Sequence, residues 1–141
     1  MKFRFNSFTN LISSLYHSIY VIKDEETEEW GLKSSHVSCI YNIFKYNGLS
    51  QVELCEVCGE NKAAISRTVA YLSDNEYIKV ESGDMKYKRK YFLTPKGLNI
   101  AELVEKKIEG YIYKASGEIK DEDRETMYRC LEIIDNNLKK R

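Results

Sequence analysis

The chain reads as mainly α with one small β-hairpin, an α+β fold. Three observations predict this. Apolar residues recur at three- and four-residue spacing over most of the length, the signature of amphipathic helices. A single proline among 141 residues leaves long helices uninterrupted. Only the segment from Tyr77 to Leu93 concentrates β-branched and aromatic residues around turn chemistry, Ser82-Gly83-Asp84.

The elements follow in order. Between Phe3 and Ile22, Phe8, Leu11, Ile12, Leu15, Tyr16, Ile19 and Tyr20 form one stripe, wide enough to be buried along its length. The acidic run Asp24 to Glu29 is expected to end that helix as a solvated linker. Ser34 or Ser35 can cap a second helix with an inward face of Val37, Ile40, Tyr41 and Phe44, closed by Asn47-Gly48. Ser50 and Glu53 have capping-box spacing, Gly59 stops that short helix, and Asn61 caps the next. There Ile65, Val69 and Leu72 face inward, leaving Lys62, Ala63, Ser66, Arg67 and Ala70 outside. Strands are expected at Tyr77–Val80 and Tyr87–Leu93. Thr94-Pro95 starts a long helix running past Leu98, Ala101, Leu103, Val104, Ile108, Tyr111 and Ile112. After a polar break near Gly117-Glu118, Met127, Leu131, Ile134 and Leu138 mark a last helix.

Composition narrows the function. With 43% hydrophobic and 31% charged residues the chain is globular, of a size for one domain. Lys+Arg and Asp+Glu each total 22. A zero balance argues against a protein that coats nucleic acid indiscriminately but allows a local basic stripe. No stretch approaches membrane-spanning length and the N-terminus lacks a signal core, so a cytoplasmic location is expected. No glycine-rich phosphate loop, nucleophile motif or paired carboxylate set supports catalysis, and no cofactor is expected.

Helix, tight turn, helix, then a hairpin with a basic tip is an order that presents one helix to the DNA major groove and a ribbon to the flanking backbone. The segments Ser50-Gln51-Val52-Glu53-Leu54-Cys55-Glu56, Lys62-Ala63-Ala64-Ile65-Ser66-Arg67-Thr68-Val69-Ala70-Tyr71-Leu72 and Leu93-Thr94-Pro95-Lys96-Gly97 make the chain resemble the MarR family of bacterial transcription regulators. The likeness covers most of the chain and implies a winged helix-turn-helix with N- and C-terminal dimerisation helices. In that frame 1–33 and 95–141 would dimerise around a DNA-binding lobe at 34–94. The resemblance implies a sequence-specific regulator of double-stranded DNA, expected to be a repressor. It would bind a pseudo-palindromic operator as a homodimer and be released by a small-molecule effector.

Two departures stand out. Family members commonly carry Ser-Thr where this chain has Ala63-Ala64, whose methyl groups could instead meet thymine methyls. Asp84-Met85-Lys86-Tyr87-Lys88-Arg89 only approximates the family's Asp-Arg-Arg-type wing motif.

The expected DNA-contacting set is therefore Lys62, Ala63, Ala64, Ser66 and Arg67 on the helix, with Lys86, Lys88, Arg89 and Lys90 on the hairpin. An exposed arginine can grip a guanine edge in bidentate fashion or clamp a phosphate. Hairpin lysines can neutralise phosphates, or merely protect an edge strand from aggregation. Cys55-Glu56-Val57-Cys58 has redox or metal spacing, yet Cys39, Cys130, His17 and His36 supply no second ligand pair. Core packing is expected, with Cys58 at a position buried and aliphatic in the family register; a thiol-based redox response is the alternative. Tyr16, Tyr20, Trp30 and Tyr41 could line an effector pocket or belong to the core. The competing class is a winged-helix module that binds protein and not DNA.

Overall fold

The computed structural model describes residues 4–81 and 89–141, and for residues 4–6 the backbone alone. Its elements are α1 (Arg4–Thr27), a single 3-10 turn (Glu28–Trp30), α2 (Ser34–Tyr46), β1 (Leu49–Ser50), α3 (Gln51–Cys58), α4 (Lys62–Asp74), β2 (Ile78–Val80), β3 (Lys90–Leu93), α5 (Pro95–Ala115) and α6 (Asp121–Lys139). The expected Ser82-Gly83-Asp84 turn and the wing motif up to Lys88 lie outside the described residues. No described helix is long and apolar enough to cross a membrane. Residues up to Ile108 form one compact unit and Glu109–Arg141 another.

In the first unit the ends of α3 and the start of α4 are set by local chemistry. Ser50 accepts the Glu53 N–H at 3.2 Å, and the Glu53 carboxylate accepts the Ser50 N–H at 3.0 Å, closing the expected capping box. The Ser50 N–H bond, and then its hydroxyl, hold the Glu53 carboxyl below the usual carboxylate range. Gly59 ends α3 in the left-handed region at φ 64°, where a β-carbon is disfavoured. Asn61 caps α4 through a 2.8 Å bond from the Ala64 N–H.

The sheet is antiparallel throughout, in the order β1-β3-β2, with Leu49 opposite Tyr91, Ser50 opposite Lys90 and Ile78 opposite Leu93. β1, of two residues, is too short to show a strand period in the sequence. Thr94, Lys96 and Gly97 explain the segment that follows. The Thr94 hydroxyl donates to the Glu76 carbonyl at 2.6 Å and accepts the Gly97 N–H at 3.1 Å, capping α5. Lys96 Nζ donates to the Asn75 carbonyl at 2.8 Å and lies 4.3 Å from the centre of the Tyr77 ring. A β-carbon on Gly97 would overlap the Tyr77 carbonyl oxygen, so the start of α5 presses against the turn leaving α4.

One core joins these elements. Val37, Ile40 and Ile43 of α2, Leu54 of α3, Ile65, Val69 and Leu72 of α4, Tyr77, Ile78, and Ile100, Ala101 and Val104 of α5 are all buried. Four expectations need correction. The inward face of α2 is Val37, Cys39, Ile40 and Ile43, with Phe44 half-buried and Tyr41 exposed, because α1 and α3 both pack on this helix. The acidic run is no loop. α1 continues to Thr27, which is fully buried and donates to the Lys23 and Leu32 carbonyls. Asp24 accepts the Ser34 N–H, so the start of α2 is held from outside the helix and Lys33, not Ser34 or Ser35, is its N-cap. Finally, the α1 stripe is not buried within one chain: Leu11 is 60% and Leu15 51% exposed.

The second unit has a turn at Ser116–Lys120 braced by Arg124. Its guanidinium donates to the Ser116 carbonyl at 2.8 Å and to the Ile119 carbonyl at 3.3 Å, and pairs with Asp121 at 3.3 Å. No residue of α6 is buried; Met127, Ile134 and Leu138 are exposed and Leu131 half-buried.

Candidate nucleic-acid interface

α4 exposes one side and buries the other. At about 100° per residue, Lys62, Ser66, Ala70, Ala63 and Arg67 fall within roughly 140° of arc, and all five are exposed. Ile65, Thr68, Val69 and Leu72 take the opposite side and are buried. From Lys62 to Ala70 the outward face runs for about 12 Å, comparable to the width of the major groove. None of the ion pairs formed among the described residues involves Lys62 or Arg67, so both charges are available to a partner.

Ala64 is half-buried and lies toward the edge of this face, beside a cavity it lines together with Arg67. Its methyl is a poorer candidate for a base contact than that of Ala63. Arg89 and Lys90 are exposed, and Lys90 opens β3 directly opposite the Ser50 cap. The basic strand is thus hydrogen-bonded to the start of the helix-turn-helix. Lys86 and Lys88 lie outside the described residues.

α4 is pinned from behind by a pair of rings from distant parts of the sequence. Tyr71 stacks on His36 with centroids 4.3 Å apart and planes 16° apart, and its hydroxyl donates to the Gly31 carbonyl at 2.8 Å. His36 Nδ1 accepts the Lys33 N–H at 2.9 Å. Burial, and then the Lys33 ammonium, lower its pKa, which keeps the ring neutral and able to accept. No spacing rule links positions 36 and 71; only the packing of α2 on α4 does.

Behind the α4 face lies a cavity of about 360 Å³ lined by Tyr16, Tyr20, His36, Cys39, Cys58 and Arg67 among others. The four aromatics considered for an effector pocket therefore separate. Tyr16 and Tyr20 line this cavity, whereas Trp30 packs against the core near Lys107, and Tyr41 lines a different gap, of only about 10 Å³, with Val37 and Val104. A larger open depression of about 880 Å³ lies between Phe44, Val80, Phe92 and Leu98, away from the α4 face.

Cys55 and Cys58 are half-buried and pack against the core, as expected. Cys58 also borders the cavity, and its sulfur partner is not Cys55 of the CxxC segment but Cys39 of α2, with the sulfurs 3.9 Å apart. The Cys58 side chain leaves the end of α3 toward α2, a direction that sequence spacing does not reveal.

Comparison with protein-family models and with curated proteins finds no match. Comparison with solved structures does. A MarR transcriptional regulator from Methanosarcina mazei Go1 superposes with a TM-score of 0.85 at 21% identity, covering 96% of this chain and 99% of that one. Staphylococcus aureus MarR in complex with salicylate and kanamycin gives 0.84 at 19% identity over 96% and 92%.

The chain has the MarR fold.

The S. aureus MepR–DNA complex shares this fold as well, with a TM-score of 0.77 at 14% identity over 93% and 96%. The resemblance carried by the three sequence segments and the arrangement of α2 to α5 thus agree on a winged helix-turn-helix flanked by further helices. Within the MarR fold, the segment Leu93 to Gly97 is the base of the wing and α4 is the second helix of the helix-turn-helix.

Proposed function

We propose that this chain is a cytoplasmic, sequence-specific double-stranded-DNA-binding transcriptional regulator, a repressor that works as a homodimer. One observation carries the reading: the second helix of its helix-turn-helix keeps an unsealed outward face with Lys62, Ser66 and Arg67 free to meet a partner. Arg67 and Ser66 are assigned to base edges or phosphates and Lys62 to phosphate. Ala63 is assigned to thymine methyls, with Ala64 at the margin. Lys86, Lys88, Arg89 and Lys90 are assigned to the flanking backbone. The MepR–DNA structure supports this by fold. No catalytic role is assigned.

The second copy is inferred from apolar surface. Phe8, Leu11, Ile12 and Leu15 on α1, and separately Met127, Ile134 and Leu138 on α6, are exposed in the single chain at helical spacing. Stripes of this kind at both ends of the sequence fit the dimerisation segments 1–33 and 95–141, with 34–94 as the reading lobe. Two-fold symmetry would set two copies of α4 about one DNA turn apart. The cavity lined by Tyr16, Tyr20 and His36 is the place for a small effector, in keeping with the salicylate and kanamycin bound by S. aureus MarR.

Selection of bound duplexes from a random pool tests the reading. Enrichment of a pseudo-palindrome with half-site centres about 10 base pairs apart is expected. A pool that stays random would remove the function. The zero net charge and the two alanines favour a second reading, a winged-helix module that binds protein, which a random pool would leave standing.

A further inference from the structure

We propose that Cys39 and Cys58 form a peroxide-responsive thiol pair, closing to an intrachain disulfide that repositions α4; its effect on DNA rests on the function proposed above. The observation is geometric. Cys39 Sγ on α2 and Cys58 Sγ at the end of α3 lie 3.9 Å apart, in contact, though nineteen residues separate them in sequence. Both border the cavity, which offers a small oxidant a route to a cysteine pair that is otherwise largely packed away.

The surroundings divide the two roles. The Asn42 side-chain amide points to Cys58 Sγ at 3.7 Å. Lys23, whose ammonium reaches the Ser38 hydroxyl at 3.4 Å, adds positive charge on the same side. The hydrogen-bonding contact with Cys39, with help from Asn42 and Lys23, holds Cys58 below the usual thiol range although burial and the Glu60 charge oppose it. Cys39 is 1% exposed, and the same contact and its burial push its thiol up. Cys58 is therefore the attacking thiolate and Cys39 the resolving thiol, an accessible thiolate beside a second cysteine.

The chemistry balances with hydrogen peroxide as oxidant. Cys58 thiolate attacks one peroxide oxygen, the O–O bond breaks, and the departing hydroxide takes a proton to leave as water, giving Cys58 sulfenic acid. Cys39 sulfur then attacks Cys58 sulfur; the S–O bond breaks, and the hydroxyl leaves with the Cys39 proton as a second water. Peroxide is reduced and two thiols are oxidised to one disulfide.

A disulfide needs its sulfurs about 2.05 Å apart, so closure draws the end of α3 toward α2. Cys58 is the last residue of α3, and only Gly59, Glu60 and the Asn61 cap separate it from α4. Moving it shifts the turn that aims the α4 face. Sulfur at position 58 thereby couples the cavity to the helix proposed to read DNA.

The test treats the reduced homodimer with a few equivalents of hydrogen peroxide and follows it by non-reducing peptide mass mapping and by gel retardation of the selected duplex. A Cys39–Cys58 cross-linked peptide is expected, leaving two of the four cysteines free, with at least tenfold weaker DNA binding restored by dithiothreitol. Cys39→Ser should trap a Cys58 sulfenic acid that dimedone labels, while Cys55→Ser should behave as wild type. Four free thiols after treatment, or a cross-link through Cys55 or Cys130, would overturn the pair whether or not any variant folds. The cross-link with unchanged DNA binding would overturn the switch. If the reduced protein retards no duplex, the DNA-binding function falls, and with it the effect on DNA; the peptide map still decides the thiol pair.

Discussion

Arg67 and His36 show how much one side chain can decide in this fold. Arg67 projects from α4 without an ion-pair partner among the described residues, so removing it strands no opposite charge among them. Arg67→Ala should weaken operator binding by about 1–3 kcal/mol, the range for a base-contacting arginine, while melting and self-association stay as they were. Equal affinity in a titration against the selected duplex would remove Arg67 from the interface. His36 works in the opposite sense, inside the lobe. Its neutral Nδ1 accepts the Lys33 N–H and its ring supports Tyr71, and its folded pKa lies below the ordinary histidine value. The stability it contributes is therefore present in full above the ordinary value and is lost as pH falls through the lower folded one. Thermal melts should show wild type losing stability as pH falls below about 6.5 more steeply than His36→Asn, which keeps an acceptor but cannot titrate. Parallel slopes would show that His36 is not the responsible group.

At the scale of elements, the short segment from Leu93 to Gly97 carries more than one helix start. Thr94 caps α5 while bonding back to the Glu76 carbonyl, Lys96 covers Tyr77, and Gly97 lets α5 touch the Tyr77 backbone. Three contacts from five residues thus clamp the base of the wing to the end of α4. Gly97→Ala improves intrinsic helix propensity, yet the clash should dominate, because the obstacle is backbone and not a flexible side chain. A net loss of about 1–3 kcal/mol is expected from overpacking, measured by urea denaturation. A stabilised variant would mean the helix start can move away without cost. The same segment shows why capping motifs were legible: Ser50, Glu53, Gly59, Asn61 and Thr94 act within four residues of themselves. The Asp24 bond to the start of α2 crosses ten residues and a turn, and no local rule points to it.

For the whole molecule, the decisive feature is apolar surface left without cover. Leu11 and Leu15 stand 60% and 51% exposed on α1, where a helix facing water would carry polar residues instead. Leu11→Glu with Leu15→Glu should cost the single chain little, since neither side chain is in its core. The pair of changes should instead shift sedimentation from dimer toward monomer and abolish binding to the full pseudo-palindrome. A double variant that sediments as wild type would place the interface elsewhere. Because each copy alone would hold one half-site, loss of the dimer should weaken DNA binding far more than it weakens folding.

The sequence by itself determined the helical periods, the caps of α3, α4 and α5 and the polar outward face of α4, since each depends on residues within a turn or two of one another. It also carried the likeness to MarR regulators, whose fold the comparison with solved structures independently returns. Only the tertiary structure decided which side of α2 is core, that the acidic run remains helical to Thr27, that His36 meets Tyr71, and that Cys58 meets Cys39 in place of acting with Cys55. Those outcomes depend on which helices pack against one another, and side chains distant along the chain share no periodicity that could announce their meeting.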